Sequence, residues 1–286
     1  MARRANRWSN SVALFKASWG VLRNDRKLAV LPIASGIACG LVGLSFALPI
    51  AALIEDGGTN AAGTESTGGG AALWVLLAVG YVLLAFVGIF FNAALVFAAD
   101  KRLRGEEVTL GEALRSAGSK IHLLLPWAIV SATVSMILRA IEERAGVLGT
   151  IAAGIAGVAW SVATFLVMPI LVFEGLGPIA AAKRSGRLCK DTWGENIIAN
   201  GGIGLVGFVG VLVGAIPMML LAAAGGGGPL TVIAIVLLVA WVAAVLVVCN
   251  TLTGILQTAL YHFARDGEAV GFDEAQMTAM FTERRA

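Results

Sequence analysis

Six stretches of the chain contain no Asp, Glu, Lys or Arg: residues 28–54, 71–99, 121–138, 147–173, 197–223 and 229–263. A bilayer core about 30 Å thick takes about 20 apolar helical residues to cross, and each stretch reaches or nearly reaches that length. The pattern predicts an all-α, polytopic membrane protein with six transmembrane helices over residues 28–263, an amphipathic segment 1–27 before them and a tail 264–286 after them. Composition agrees. Hydrophobic residues make up 58% of the chain and charged ones 14%, against about 45–50% and about 25% in soluble domains.

The net charge of +3 could suggest nucleic acid, but the placement of the charges excludes that reading. Nineteen of the 21 Lys and Arg precede the first span, follow the sixth, or lie between spans two and three or four and five; only Arg139 and Arg144 fall on the other side. By the positive-inside rule both termini are expected in the cytoplasm, in a multi-pass protein of the cell (inner) membrane. Twenty-seven residues precede an apolar stretch of 27, too much of both for a cleaved signal, so the first span is expected to remain. Cys39 and Cys249 fall inside spans and Cys189 in a cytoplasmic loop, which predicts free thiols that pack as small apolar groups.

The external connection 55–70, rich in Gly, Thr and Ser, reads as a flexible linker. Arg139, Glu142, Glu143 and Arg144 alternate in sign at helical spacing, so the third helix is expected to pass beyond the bilayer with local ion pairs. The cytoplasmic segments carry more pattern. Trp8, Val12, Phe15, Trp19 and Leu22 recur every three or four residues among Arg4, Lys16 and Arg23. Such a helix either lies in the headgroup region with its cations toward anionic lipid or packs on the other cytoplasmic loops. Thr109 and Glu112 form a capping-box pattern before a helix with Leu110, Leu114, Ala117 and Ile121 on one face. Gly177-Pro178 opens a third such helix, containing Lys183, Arg184 and Ser185. Three basic-small fragments, Lys16-Ala-Ser18, Leu114-Arg-Ser116 and Lys183-Arg-Ser185, suggest a pseudo-threefold repeat of interfacial helix plus two-span hairpin. In the tail, Asp273 with Gln276 caps a short helix over residues 274–282, which either docks on the protein or receives a partner on the cytoplasmic face.

Little here can do chemistry. No ionisable group lies in a span core, which argues against proton coupling, and no metalloprotease or intramembrane serine-protease pattern is present. His122 and His262 lie near cytoplasmic span ends, where a metal site with Asp100 or Glu174 is conceivable, but lone interfacial histidines more often anchor; no metal and no cofactor is expected. Glu174 is expected to pair with Lys183 or Arg184. The most polar face is in the sixth span, where Asn250, Thr253, Gln257 and Tyr261 share one side, with Asn92 and Asn200 as neighbours toward the cytoplasmic half. This face is either a pocket or interhelical glue of roughly 0.6–2 kcal/mol per contact, and glue is the preferred reading. Gly36-xxx-Gly40, Ala153-xxx-Gly157 and Gly210-xxx-Gly214 are expected to pack helices closely, within the bundle first and between copies second.

Residues 10–25, with Leu-Pro32, and the run Phe173-Glu-Gly-Leu-Gly-Pro178 through Ser185, with Trp193-Gly-Glu-Asn, resemble an uncharacterised family of six-span bacterial integral membrane proteins frequent in actinobacteria. They are more distantly similar to the membrane domain that accompanies glycerophosphodiester phosphodiesterases. The resemblance implies fold and location, and supplies no catalytic residue. The leading expectation is a non-enzymatic membrane component that organises or regulates a partner or the surrounding lipid. The alternative is a permease or lipid transporter using the sixth-span polar face.

Overall fold

The computed structural model describes residues 20, 23, 26–56, 67–144, 146–193 and 202–270. Arg4, Trp8, Phe15, Lys16, Trp19, Asn200 and the tail helix expected over 274–282 lie outside the described residues; Arg23 is helical and exposed. After a 3-10 turn at Arg26–Ala29 come α1 (Val30–Asp56), α2 (Thr67–Leu103), α3 (Leu110–Ser119), α4 (Ile121–Arg144), α5 (Gly146–Ala163), α6 (Pro178–Trp193), α7 (Gly202–Ala224) and α8 (Pro229–Asp266). Between α5 and α6 lie a helical turn, Val167–Pro169, and a π-helix, Ile170–Glu174.

The protein is an all-α polytopic membrane protein. Five helices are long and apolar enough to cross a bilayer, and α7, with 23 residues, is the sixth apolar helix. Three hairpins, α1–α2, α4–α5 and α7–α8, each pack on themselves, and α2 and α8 also pack on one another. Of the three expected interfacial helices, α3 and α6 fall among the described residues.

Several boundaries differ from the charge-free stretches. α2 begins at Thr67 and ends at Leu103, and α8 runs to Asp266, because a helix does not stop at its first charge when that charge finds a partner on a neighbouring helix. α4 continues to Arg144 as expected. Arg139, Glu142 and Glu143 are exposed, and among the described residues no ion pair joins them: at a solvated helix end such pairs return little for the side-chain order they need.

The fourth span is the largest departure from the expectation of a continuous helix over 147–173. The α-helix stops at Ala163 and a turn occupies residues 164–166. Pro169 is the reason: it has no N–H to give to the carbonyl of Phe165, and its ring crowds that carbonyl. Inside the turn, where the Phe165 N–H donates to the Val162 carbonyl, the N–H of Leu166 donates to Ser185 Oγ of α6 at 3.0 Å, and Ser185 is fully buried. Beyond the turn the chain winds as a π-helix and ends on Gly175, whose φ of 66° lets its N–H reach Ile170 O. Glycine takes that left-handed conformation at little cost.

The tight core occupies the half of the bundle that carries the lysines and arginines, here the basic end. Ala93 through Val96, Leu124, Leu166, Ile170, Leu252, Ile255 and Tyr261 are all essentially inaccessible there. In the other half, α1, α5, α7 and the first half of α8 turn Leu44, Leu48, Ile155, Val213 and Val239 outward, as lipid-facing helices do. Two glycine notches set the close approaches. A Cβ on Gly254 of α8 would lie 2.7 Å from Leu95 Cδ2 of α2, and one on Gly214 of α7 would lie 2.0 Å from Trp241 Nε1 of α8. Trp241 fills the notch beside Gly210 and Gly214 and donates its indole N–H to Gly210 O at 3.0 Å. Gly157 packs near Leu138. Gly36 and Gly40 differ: nothing lies within 4 Å of where their side chains would start, so that pair does not pack helices within the bundle.

α3 carries the expected capping box: Thr109 Oγ1 accepts from the Glu112 N–H, and the Glu112 carboxylate accepts from the Thr109 N–H. The Thr109 backbone bond, ahead of its hydroxyl, holds the Glu112 carboxyl below its ordinary pKa. The face of α3 is corrected. Ala113 and Ala117 are buried, whereas Leu110 and Ile121 are exposed, because the small residues let the helix press against α2 and leave the larger ones for the membrane surface.

Candidate functional site: an intramembrane cleft above a charged clasp

The expected polar face of the sixth span does not form one site. The structure divides it by depth. At its lower end, Tyr261 and His262 of α8 enter a charged clasp at the basic end; at its upper end, Asn250 lines a cleft.

The clasp is built where α2, α8, the π-helix and α6 meet. His262 Nε2 donates to Asp100 Oδ1 at 2.7 Å, Arg104 donates through Nε to the same oxygen at 3.0 Å, and its Nη2 lies 3.4 Å from His262 Nδ1. The Asp266 carboxylate lies 3.8 Å from Nδ1 on the other side of the ring. Beside it, Tyr261 donates its hydroxyl to Glu174 Oε1 at 3.1 Å and accepts from Arg265 Nη1 at 2.9 Å. Arg184 of α6 approaches Glu174 Oε2 at 3.6 Å, the partner expected for that acid. Phe173 stacks on Tyr261, ring centroids 5.6 Å apart, and lies the same distance from the His262 ring.

His262 is therefore not an interfacial anchor. It is 2% exposed and joined to α2, because α2 and α8 extend far enough past the apolar stretches for Asp100 to reach it. His122 is exposed and takes no part. No group of three or more His, Cys, Asp or Glu is arranged to hold a metal ion among the described residues. Enclosed by Phe173, Tyr261 and Asp100, the imidazole offers no open edge to a substrate. The arrangement serves chemically as a crosslink between four elements. Charge-free windows could not find it, since they stop where the clasp begins; the Asp100–Arg104 spacing and the Tyr-His pair at the end of the sixth span were the available signals.

The cleft lies deeper. It encloses about 460 Å³ between α1, α2, α4, the break in the fourth span and α8, within the roughly 300–1,000 Å³ of small-molecule sites. Its polar groups are Ser35, Asn92, Ser131, Thr164 and Asn250, and its walls include Phe91 and Trp127. Asn250 is exposed. Asn92 Oδ1 is buried with no hydrogen-bond partner among the described residues, and so is Gln257 Oε1 one helical stretch below Asn250. Among the described residues these two oxygens have no partner on a neighbouring helix. Thr251 and Thr258 return their protons to the carbonyls of Val247 and Gly254 in their own helix, and Thr253 is half-buried.

The break in the fourth span forms part of the cleft. Thr164, in the turn, and Met168, just beyond it, both line it, and the Ser185 hydroxyl that pairs the turn's Leu166 N–H comes from α6. Cleft, break and interfacial helix are thus in direct contact.

Residues 71–272 match the model of a family described as a family of unknown function (DUF6159). No curated protein matches the chain.

Proposed function

The chain belongs to the DUF6159 family of unknown function, and as the matched region contains every residue lining the cleft except Pro32 and Ser35, we propose that it is a non-enzymatic membrane component that holds lipid in this cleft. The single observation that carries the reading is the exposed Asn250, with Ser35 and Ser131, in an otherwise largely apolar cleft between helices long enough to span the membrane. A bare amide in hydrocarbon is costly, so an occupant that hydrogen-bonds is favoured there. The basic end, with Arg23, Lys183 and Arg184, would bear on anionic headgroups and on any protein partner at that face.

The same proposal assigns the protein to a bacterial inner membrane with both termini in the cytoplasm, on the strength of the Lys and Arg distribution. A single Cys at Gly226 should react with an impermeant thiol reagent in intact cells, and one at Gly105 only after lysis. The lipid reading is tested by native mass spectrometry of the protein released from mild detergent: a retained lipid is expected, and its loss in Asn92→Leu and Asn250→Leu. Protein that carries no lipid in either form would sink it.

A permease or lipid transporter is the second reading. It draws on the same cleft and on the break beside it, which lets the two limbs of the fourth span move separately. Protein-dependent flux of lipid across proteoliposomes, absent in the cleft variants, would favour it over a holding role.

A further inference from the structure

We infer that the cleft grips a glycerolipid by its uncharged ester segment, taking the carbonyl oxygens as acceptors and leaving the headgroup outside, so that it selects for the ester linkage and not for the charge of the head. The inference rests on the reading of the cleft as a lipid site.

Depth carries the first step. On α1, Pro32 and Ser35 line the cleft five and eight residues beyond Lys27; on α2, Asn92 lines it eight residues before Asp100. These spacings amount to about 8–12 Å of axial rise. The headgroup and interfacial layer is about 5–8 Å thick on each side of the hydrocarbon. With Lys27 and Asp100 in that layer, the cleft lies just inside it, where a glycerolipid carries its esters between head and chains. No Asp, Glu, Lys, Arg or His lines the cleft. A phosphate drawn into it would be stripped of water with no opposite charge in contact, which is costly.

Hydrogen bonding carries the second. The Trp127 indole N–H can only donate, and among the described residues it has no partner. Asn92 turns its Oδ1 out of reach, so what it can offer the cleft is its NH2. Asn250, Ser35 and Ser131 add further donors, whereas Thr164 has committed its proton to Trp160 O at 2.7 Å. A hydrocarbon chain would leave these donors bare. An ester carbonyl brings lone pairs and no proton, and so takes them up without a charge. Leu84, Ile89 and Leu95 supply apolar wall for the first methylenes of the chains.

The test titrates the full chain in mild detergent with three lipids and reads the bound fraction by native mass spectrometry. They are dioleoylphosphatidylglycerol, dioleoylphosphatidylcholine, and the diether analogue of the first, which keeps its head and chains and lacks both carbonyls. The two diesters should bind within about threefold of one another, and the diether about tenfold more weakly, the scale of one or two hydrogen bonds. Asn250→Leu should bring the diester down toward the diether, and Trp127→Phe, which keeps a ring and drops the N–H, should do so in part. A thermal melt confirms that both variants fold. A diether that binds as tightly as the diester, or a preference of tenfold or more between the two heads, with binding still dependent on Asn250, overturns the ester grip while leaving the cleft as a lipid site. No bound lipid, or binding indifferent to both substitutions, overturns both.

Discussion

His262 Nε2 stands 2.7 Å from Asp100 Oδ1, joining two helices that meet 162 residues apart in sequence. With Arg104 on the same oxygen, the carboxylate has two donors. His262→Ala and Asp100→Ala should each lower the stability of the detergent-solubilised protein by about 1–3 kcal/mol, the cost of leaving a buried polar group unpaired. The double variant should lose clearly less than the sum. Additive losses in thermal melts would mean that the pair is not coupled.

Ser185 closes the gap in the fourth span. In Ser185→Ala the Leu166 N–H keeps its burial and loses its acceptor, at a cost of about 1–3 kcal/mol. Hydrogen exchange at residues 164–168 should quicken in that variant while the exchange of α7 stays as it was. Unchanged exchange at the turn would show that another acceptor takes over.

Gly254 and Leu95 fix how closely α2 and α8 approach. Because a Cβ would meet Leu95 Cδ2 at 2.7 Å and Cγ at 3.0 Å, Leu95 would have to shift from its packed position toward the cleft it lines, and Gly254→Ala should destabilise by about 1–3 kcal/mol. Adding Leu95→Ala should return part of the loss. A Gly254→Ala protein that melts like the parent contradicts this packing.

Burial pushes the Cys189 thiol up to about 11. At pH 8 roughly one thiol in a thousand would be ionised, and the thiolate is the reactive form. Cys189 should therefore resist alkylation by N-ethylmaleimide in the folded protein and react once it is denatured, as read by peptide mass spectrometry. Rapid modification of the native protein would show that the face of α6 carrying Cys189 is not packed on the rest of the protein.

Much of the architecture could be read from the chain itself, because bilayer thickness converts directly into the length of a charge-free run. The capping box at Thr109 and Glu112, the helix start at Gly177-Pro178 and the Glu174–Arg184 pair were legible for a similar reason: each depends on residues close in sequence. The clasp and the cleft were not, since both rest on contacts between distant helices. Spacing put Asn250, Gln257 and Tyr261 on one side of α8, but which neighbour meets each depth depends on where α2 ends and where the fourth span breaks. Pro169 is a residue that interrupts helices; that the turn before it would find a hydrogen-bond acceptor in Ser185, from the following helix, required the packed structure.

The interruption at residues 164–166 also has a mechanical meaning. A continuous span behaves as a rod, so a tilt imposed at one end reappears at the other. Here the outer limb, Gly146–Ala163, joins the inner limb through a turn that lacks the regular helical ladder. Tilting is how helices adapt to bilayers of different thickness. A lean of the limb Gly146–Ala163 with such a change would be expected to stop at the joint, leaving residues 167–174 in the core and the charged end insulated, as by a suspension, from the varying thickness of the membrane around it.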